Sequence, residues 1–225
     1  MSESVRTLAN WKAVPIPEPV SLRGRYTALE PLDASRHGVD LWEAVNGHDE
    51  LWRWLPGSPA ESASDMMDRL EGWRRSEQAM LLAILPFESG RATGWASYMR
   101  MSPVHGAIEV GNILFSPSLQ RTRSATEAMY LMARHIFEDL GYRRYEWKCD
   151  AENLPSRRAA RRFGFTFEGI FRQHMVVKGH NRDTAWFAML DHEWPRRKRA
   201  FEAWLEPENF DASGRQRRSL DEVSG

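Results

Sequence analysis

The sequence has one cysteine, no net charge and no long apolar run. The lone Cys149 excludes an internal disulfide and a cysteine-rich metal site, which fits a reducing compartment. Lys plus Arg and Asp plus Glu number 31 each, so no global field favours nucleic acid or a membrane surface, and anion recognition must be local. No stretch is apolar and long enough to cross a bilayer. The first residues carry Arg6, Trp11, Pro15, Pro17 and Pro19 but no apolar signal core. A soluble, cytoplasmic chain without a membrane partner is therefore expected. The seven histidines show no paired spacing of a metal-binding type, so no metal is expected.

What is present reads as one domain with peripheral arms, since 225 residues can bury one substantial core. Residues 1–20 have the proline spacing of an extended arm, residues 21–192 carry the folded pattern, and residues 193–225 read as a helix followed by a mobile tail that ends in Ser224 and Gly225. Within the domain, Tyr26 to Leu32 reads as a short strand ending at Pro31, followed by amphipathic helices over Ala34 to Asn46 and Glu61 to Arg75. Three β-like runs, Met80 to Leu85, Ala92 to Met101 and Ala107 to Phe115, form an antiparallel meander.

The period then changes. Ala125, Ala128, Met129, Met132, Ile136 and Leu140 recur at helical spacing, Ser124 with Glu127 reads as a capping box, and Gly141 supplies a left-handed stop. Tyr145, Trp147 and Cys149 alternate with polar residues as a strand with one apolar face. Asn153 can cap a helix with Pro155 in its first turn, Gly164 closes it, and strands follow at Phe165 to Ile170 and Thr184 to Leu190. The fold class is α+β: a mixed, mostly antiparallel sheet flanked by helices.

A strand stopping at Pro117, a polar loop and a helix opening at Ser124 make an anion site, because first-turn amides have no partner within a helix. Four segments then carry a resemblance: LEPLD at Leu29 to Asp33, IEVGNILFSP at Ile108 to Pro117, QRTRSATEA at Gln120 to Ala128, and DAENLPSRRAARRFGF at Asp150 to Phe165. Their order resembles the core of the GNAT superfamily of acyl-CoA N-acyltransferases, nearest the branch of the ribosomal-protein N-terminal (alanine or serine) acetyltransferases.

The resemblance implies the GNAT fold, acetyl-CoA as co-substrate and an amine acceptor on a peptide or small molecule. It also implies homodimer pairing. Backbone groups of Ile113, Leu114 and Phe115 would hold the pantetheine arm, and Gln120, Arg121, Thr122, Arg123, Ser124, Ala125 and Thr126 the pyrophosphate. Asn153 and Ser156 would meet the thiol end, with Ser156 as the acid for the departing thiolate. One departure stands out: the family loop resembles Q/R-x-x-G-x-G/A, and Arg123 occupies a glycine position. Either Arg121 and Arg123 compensate with their guanidinium groups, which is the favoured reading, or they are solvated loop residues.

From the residues themselves, Glu109 is the carboxylate best placed to act as base, because it interrupts an apolar strand beside the cofactor loop. A water chain is the alternative. Trp52 and Trp54 are candidates for the acceptor pocket, whereas Trp95 reads as core and Cys149 as packing. Asn153 can also serve only as a cap, and Ser156 only as a first-turn residue. Two other functions stay open: a CoA-binding or regulatory module without turnover, and an RNA-associated protein using the clusters Arg196 to Arg199 and Arg215 to Arg218.

Overall fold

A computed structural model describes residues 8–75 and 79–223. The alternation in the strand β6 (Arg144–Asp150) sets the architecture: Tyr145, Trp147 and Cys149 are buried in one core, while Arg144, Glu146 and Lys148 project from the opposite face. Its neighbours complete an eight-stranded sheet. They are β1 (Leu22–Arg23), β2 (Thr27–Pro31), β3 (Ala79–Pro86), β4 (Gly94–Ser102), β5 (Ala107–Phe115), β7 (Thr166–Val177) and β8 (His180–Leu190). The spatial order is β1-β2-β3-β4-β5-β6-β8-β7, and every pairing is antiparallel except β5 with β6. A parallel pair needs a crossover. The helix α3 (Arg123–Arg134), continued by a π-helical turn over His135–Asp139, provides it.

On one face, α3, α4 (Leu154–Arg162) and α5 (Trp194–Leu205) bury the larger core, which includes Tyr98, Met132, Tyr145, Trp147, Phe187 and Phe201. On the other face, α1 (Ala34–Val45) and α2 (Ala63–Arg75) bury a smaller core around Leu41, Met66, Leu70, Leu81, Ala83 and Trp95. The helices α1 and α2 reach only as far as Leu114 of β5, so the same face of β6 and β8 carries no helix in that core.

Several sequence expectations acquire a different physical form. Thr122, not Ser124, caps α3: its hydroxyl accepts from the Ala125 amide, while Ser124 donates to the Tyr26 carbonyl. Glu127 does not close a capping box. It reaches across to the β1–β2 turn and accepts the amides of Arg25, Tyr26 and Thr27. β7 runs well past Ile170 to Val177, because it pairs as a long hairpin with β8. The N-terminal arm from residue 8 is tied by Trp11 Nε1 to the Val104 carbonyl, and its Pro15 carbonyl accepts from Tyr142. Beyond α5, Phe210 and Leu220 return to the larger core, and the expected mobile end at Ser224 and Gly225 lies outside the described residues, as does Arg6. Among the described residues no helix is long and apolar enough to cross a membrane.

Candidate active site

The parallel strands β5 and β6 begin side by side and then separate. Their register runs from Ala107 opposite Arg144 to Val110 opposite Trp147 and stops there, although β6 continues with β8 to Asp150. The cause lies in β5, where one extra residue stands between the pairs Trp95–Leu114 and Ser97–Gly111. Asn112 sits at that bulge with φ 47°, and its buried Oδ1 has no protein partner. The bulge also brings Leu114 onto the face of Glu109 and Gly111, which strict alternation would not do. The edge of β5 from residue 111 to 115 thus faces a gap instead of a strand.

That gap leads to the start of α3. The loop between β5 and α3 winds through Ser116, whose carbonyl accepts from Leu119 and Gln120, and Arg121 takes the left-handed conformation with φ 63°. Thr126 donates to the Thr122 carbonyl and Ala125 to its hydroxyl, so among the described residues the amides of Arg121, Arg123 and Ser124 have no protein acceptor. Arg123 does not extend into solvent. Its guanidinium lies 4.8 Å from each of the ring centres of Tyr26 and Phe210. Gln120 turns back to the Phe115 carbonyl.

On the β6 side, Asn153 Oδ1 accepts the Ser156 amide at 3.1 Å and caps α4. The Ser156 hydroxyl accepts from Trp147 Nε1 at 2.9 Å and lies within hydrogen-bond reach of the Cys149 sulfur. Trp147 is the last β6 residue paired with β5. Ser156 is therefore fixed at the mouth of the gap. Burial pushes the neighbouring Cys149 thiol up in pKa, which keeps it protonated and unreactive at neutral pH.

Across the open face, Glu109 is 3% exposed, and Arg100 Nη1 donates to its two oxygens at 2.9 and 2.7 Å. Lys148 Nζ lies 3.1 Å from Glu109 and 2.7 Å from Glu146, under the ring of Trp186 at 3.7 Å. Lys148 has no carboxylate to spare, since Glu146 is shared with Arg144. Beside this cluster stands His174, its Nδ1 2.9 Å from Thr184 Oγ1. Further out, a groove of about 680 Å³ runs between residues 49–59 and the β7–β8 hairpin, lined in part by Trp52, Arg53 and Lys178. Lys178 Nζ donates to the Trp52 carbonyl at 2.8 Å and closes that end.

A strand edge facing a gap, helix-start amides beside it and a clustered polar face fit an acyl-CoA site. The family description "Acetyltransferase (GNAT) domain" matches residues 28–166. The chain belongs to the GNAT family. Its sheet and helices superpose on a GCN5-related N-acetyltransferase from Brucella melitensis with a TM-score of 0.94, at 47% identity over 96% of this chain and 99% of that one. An uncharacterized N-acetyltransferase, YnaD of Bacillus subtilis (strain 168), is 31% identical over 87 residues, which span 38% of this chain and only 50% of that protein. A putative ribosomal N-acetyltransferase, YdaF of the same organism, is 25% identical over 174 residues, 76% of this chain and 92% of that protein.

Within this GNAT frame the expected residues separate into groups. Ile113, Leu114 and Phe115 lie on the β5 edge, Gln120 to Thr126 at the head of α3, and Asn153 and Ser156 at the head of α4, so the three sets meet at one gap. Trp52 is 2% exposed and packs 6.0 Å from Trp95, yet lines the outer groove, while Trp54 lies under Arg53. Sequence reading missed Arg100, Lys148, Lys178, Trp186 and His174. Only Lys148 had a usable signal, since period-two alternation sets it with Glu146 opposite the apolar face of β6. Among the described residues no group of three or more His, Cys, Asp or Glu could hold a metal.

Proposed function

We propose that this GNAT protein transfers an acyl group, acetyl in the first instance, from CoA to a primary amine on a peptide N-terminus or a small molecule. One observation carries this: the β5 edge at 111–115 faces a gap that ends at unpartnered α3 amides on one side and the Ser156 hydroxyl on the other. Acyl-CoA supplies a thioester carbonyl open to direct attack and a thiolate leaving group.

The protein's own groups supply the rest. The β5 edge pairs with an extended amide-bearing arm as an added strand, which fixes the thioester in register. The amides of Arg121, Arg123 and Ser124, at the positive end of α3, bind pyrophosphate. A backbone donor on β5 stabilises the oxyanion, and Ser156 hands a proton to sulfur. The acceptor enters from the groove beside Trp52 and Lys178. Glu109 places a buried negative charge by the reaction centre and holds Arg100 and Lys148 in position.

The test combines binding with chemistry. Acetyl-CoA should raise the melting temperature, and thiol release should follow addition of some member of a panel of peptides and small amines. Binding with no release across the panel would favour a CoA-responsive module. Salt-sensitive RNA binding with no response to CoA would favour the RNA-associated alternative.

A further inference from the structure

We infer that His174 is the base that takes the proton from the attacking amine, a catalytic role on β7 that complements the cluster around Glu109. It rests on the acyl-transfer function proposed above.

Glu109 is poorly suited to receive that proton. Its side chain is 4% exposed, Arg100 donates to both oxygens, and Lys148 lies within 3.1 Å. Lys148 is itself only 6% exposed, so neutralising Glu109 would strip compensation from a buried ammonium, while the half-exposed Arg100 would lose its carboxylate partner. Its charge is committed to structure.

His174 has what Glu109 lacks. β7 departs from regular pairing between Phe171 and Met175, with Gln173 at φ 49° and its amide held by Asp183 at 2.7 Å. This irregular stretch carries the imidazole over the open face. The ring is fixed by Phe171 at 4.7 Å and Trp186 at 6.2 Å, and Nδ1 is engaged by Thr184. With Nδ1 donating to that hydroxyl, Nε2 is the nitrogen left to accept a proton. Thr184 pairs with Asp150, at the end of the section of β6 that has parted from β5. His174 thus stands at the level of the gap, about two strand spacings, or roughly 10 Å, from it.

The surroundings keep the imidazole neutral. Burial lowers its pKa, and Arg182 of β8, Arg100 of β4 and Lys148 of β6 lower it further, against Glu109 of β5 alone. Those cations also disfavour an ammonium on the acceptor and so assist its deprotonation. The balance is complete: the amine nitrogen bonds to the thioester carbon, its proton passes through intervening water to His174 Nε2, the C–S bond breaks, and sulfur takes a proton through Ser156 and water.

The experiment uses the full chain. Histidine NMR at pH 7 should show His174 neutral and protonated on Nδ1, titrating below pH 6.5. His174→Gln should lower kcat/KM about a hundredfold or more at pH 7, abolish the acidic limb of the pH profile and leave the calorimetric CoA Kd unchanged, with added imidazole restoring part of the rate. Thr184→Val, which removes the Nδ1 partner, should weaken the tautomer preference and lower activity less. An Nε2-protonated ring, or a wild-type pH profile in His174→Gln, overturns the role of His174. Failure of the wild-type protein to bind CoA overturns acyl transfer itself and the assignment with it.

Discussion

The Glu127 carboxylate of α3 lies 2.6 Å from the Tyr26 amide, 101 positions away in the chain, and also accepts the amides of Arg25 and Thr27 at 2.7 and 2.9 Å. One buried side chain thereby closes the turn between β1 and β2 and anchors the head of α3 to the sheet edge. A Cβ on Gly24 would collide with the same carboxylate.

Glu127→Ala leaves those donors without an acceptor. A stability loss of roughly 3 kcal/mol is expected, or about 6–12 °C in melting temperature for a chain of this size, with Glu127→Gln losing less. Thermal denaturation checks it; an unchanged melting temperature for Glu127→Ala would refute the tie.

Ser156 is predicted to act on turnover. Ser156→Ala should lower kcat about ten- to hundredfold, with little effect on CoA affinity, and should cost about 1 kcal/mol because Trp147 Nε1 loses its acceptor. A stability loss of that size with kcat unchanged would make Ser156 a purely structural partner of Trp147.

The groove predicts a selective effect on the acceptor. Lys178→Met removes the bond to the Trp52 carbonyl and frees the β7–β8 hairpin from the segment after α1. KM for the amine should rise severalfold while the CoA Kd stays the same. Equal weakening of both ligands would place the acceptor elsewhere.

His37 supplies a stability test with a definite sign. It is 2% exposed, accepts the Asp33 amide on Nδ1 at 3.1 Å, and its Nε2 has only Glu30 at 3.6 Å, too long for a hydrogen bond. Burial chiefly, and Arg36 next, lower its pKa below 6.5. The unfolded chain therefore takes up the proton first as pH falls. No loss arises above pH 6.5, and stability declines as pH drops from 6.5 toward the folded value. His37→Gln should be less stable than wild type at pH 7.5, with the difference narrowing at pH 5.

Much of the fold was legible because its signals are local. The alternation of Tyr145, Trp147 and Cys149, the cap at Asn153 and the stop at Gly141 each act within a few residues. Glu127 was misassigned because a Ser-x-x-Glu spacing fits a capping box equally well, and only the remote β1–β2 turn decides between them. The family resemblance pointed to the backbone of Ile113, Leu114 and Phe115, but the bulge beside them, with its positive φ at Asn112, has no signal in the neighbouring residues. Arg100, Lys148 and His174 come from three strands and meet only through sheet order, so no spacing along the chain could join them.

The most direct test of acyl transfer at this gap is a crystal structure of the protein with bound CoA. The pantetheine amides should pair with the β5 edge between residues 111 and 115, with pyrophosphate on the amides of Arg121, Arg123 and Ser124 and the thiol beside Ser156. CoA bound elsewhere, with the β5 edge left bare, would contradict the account.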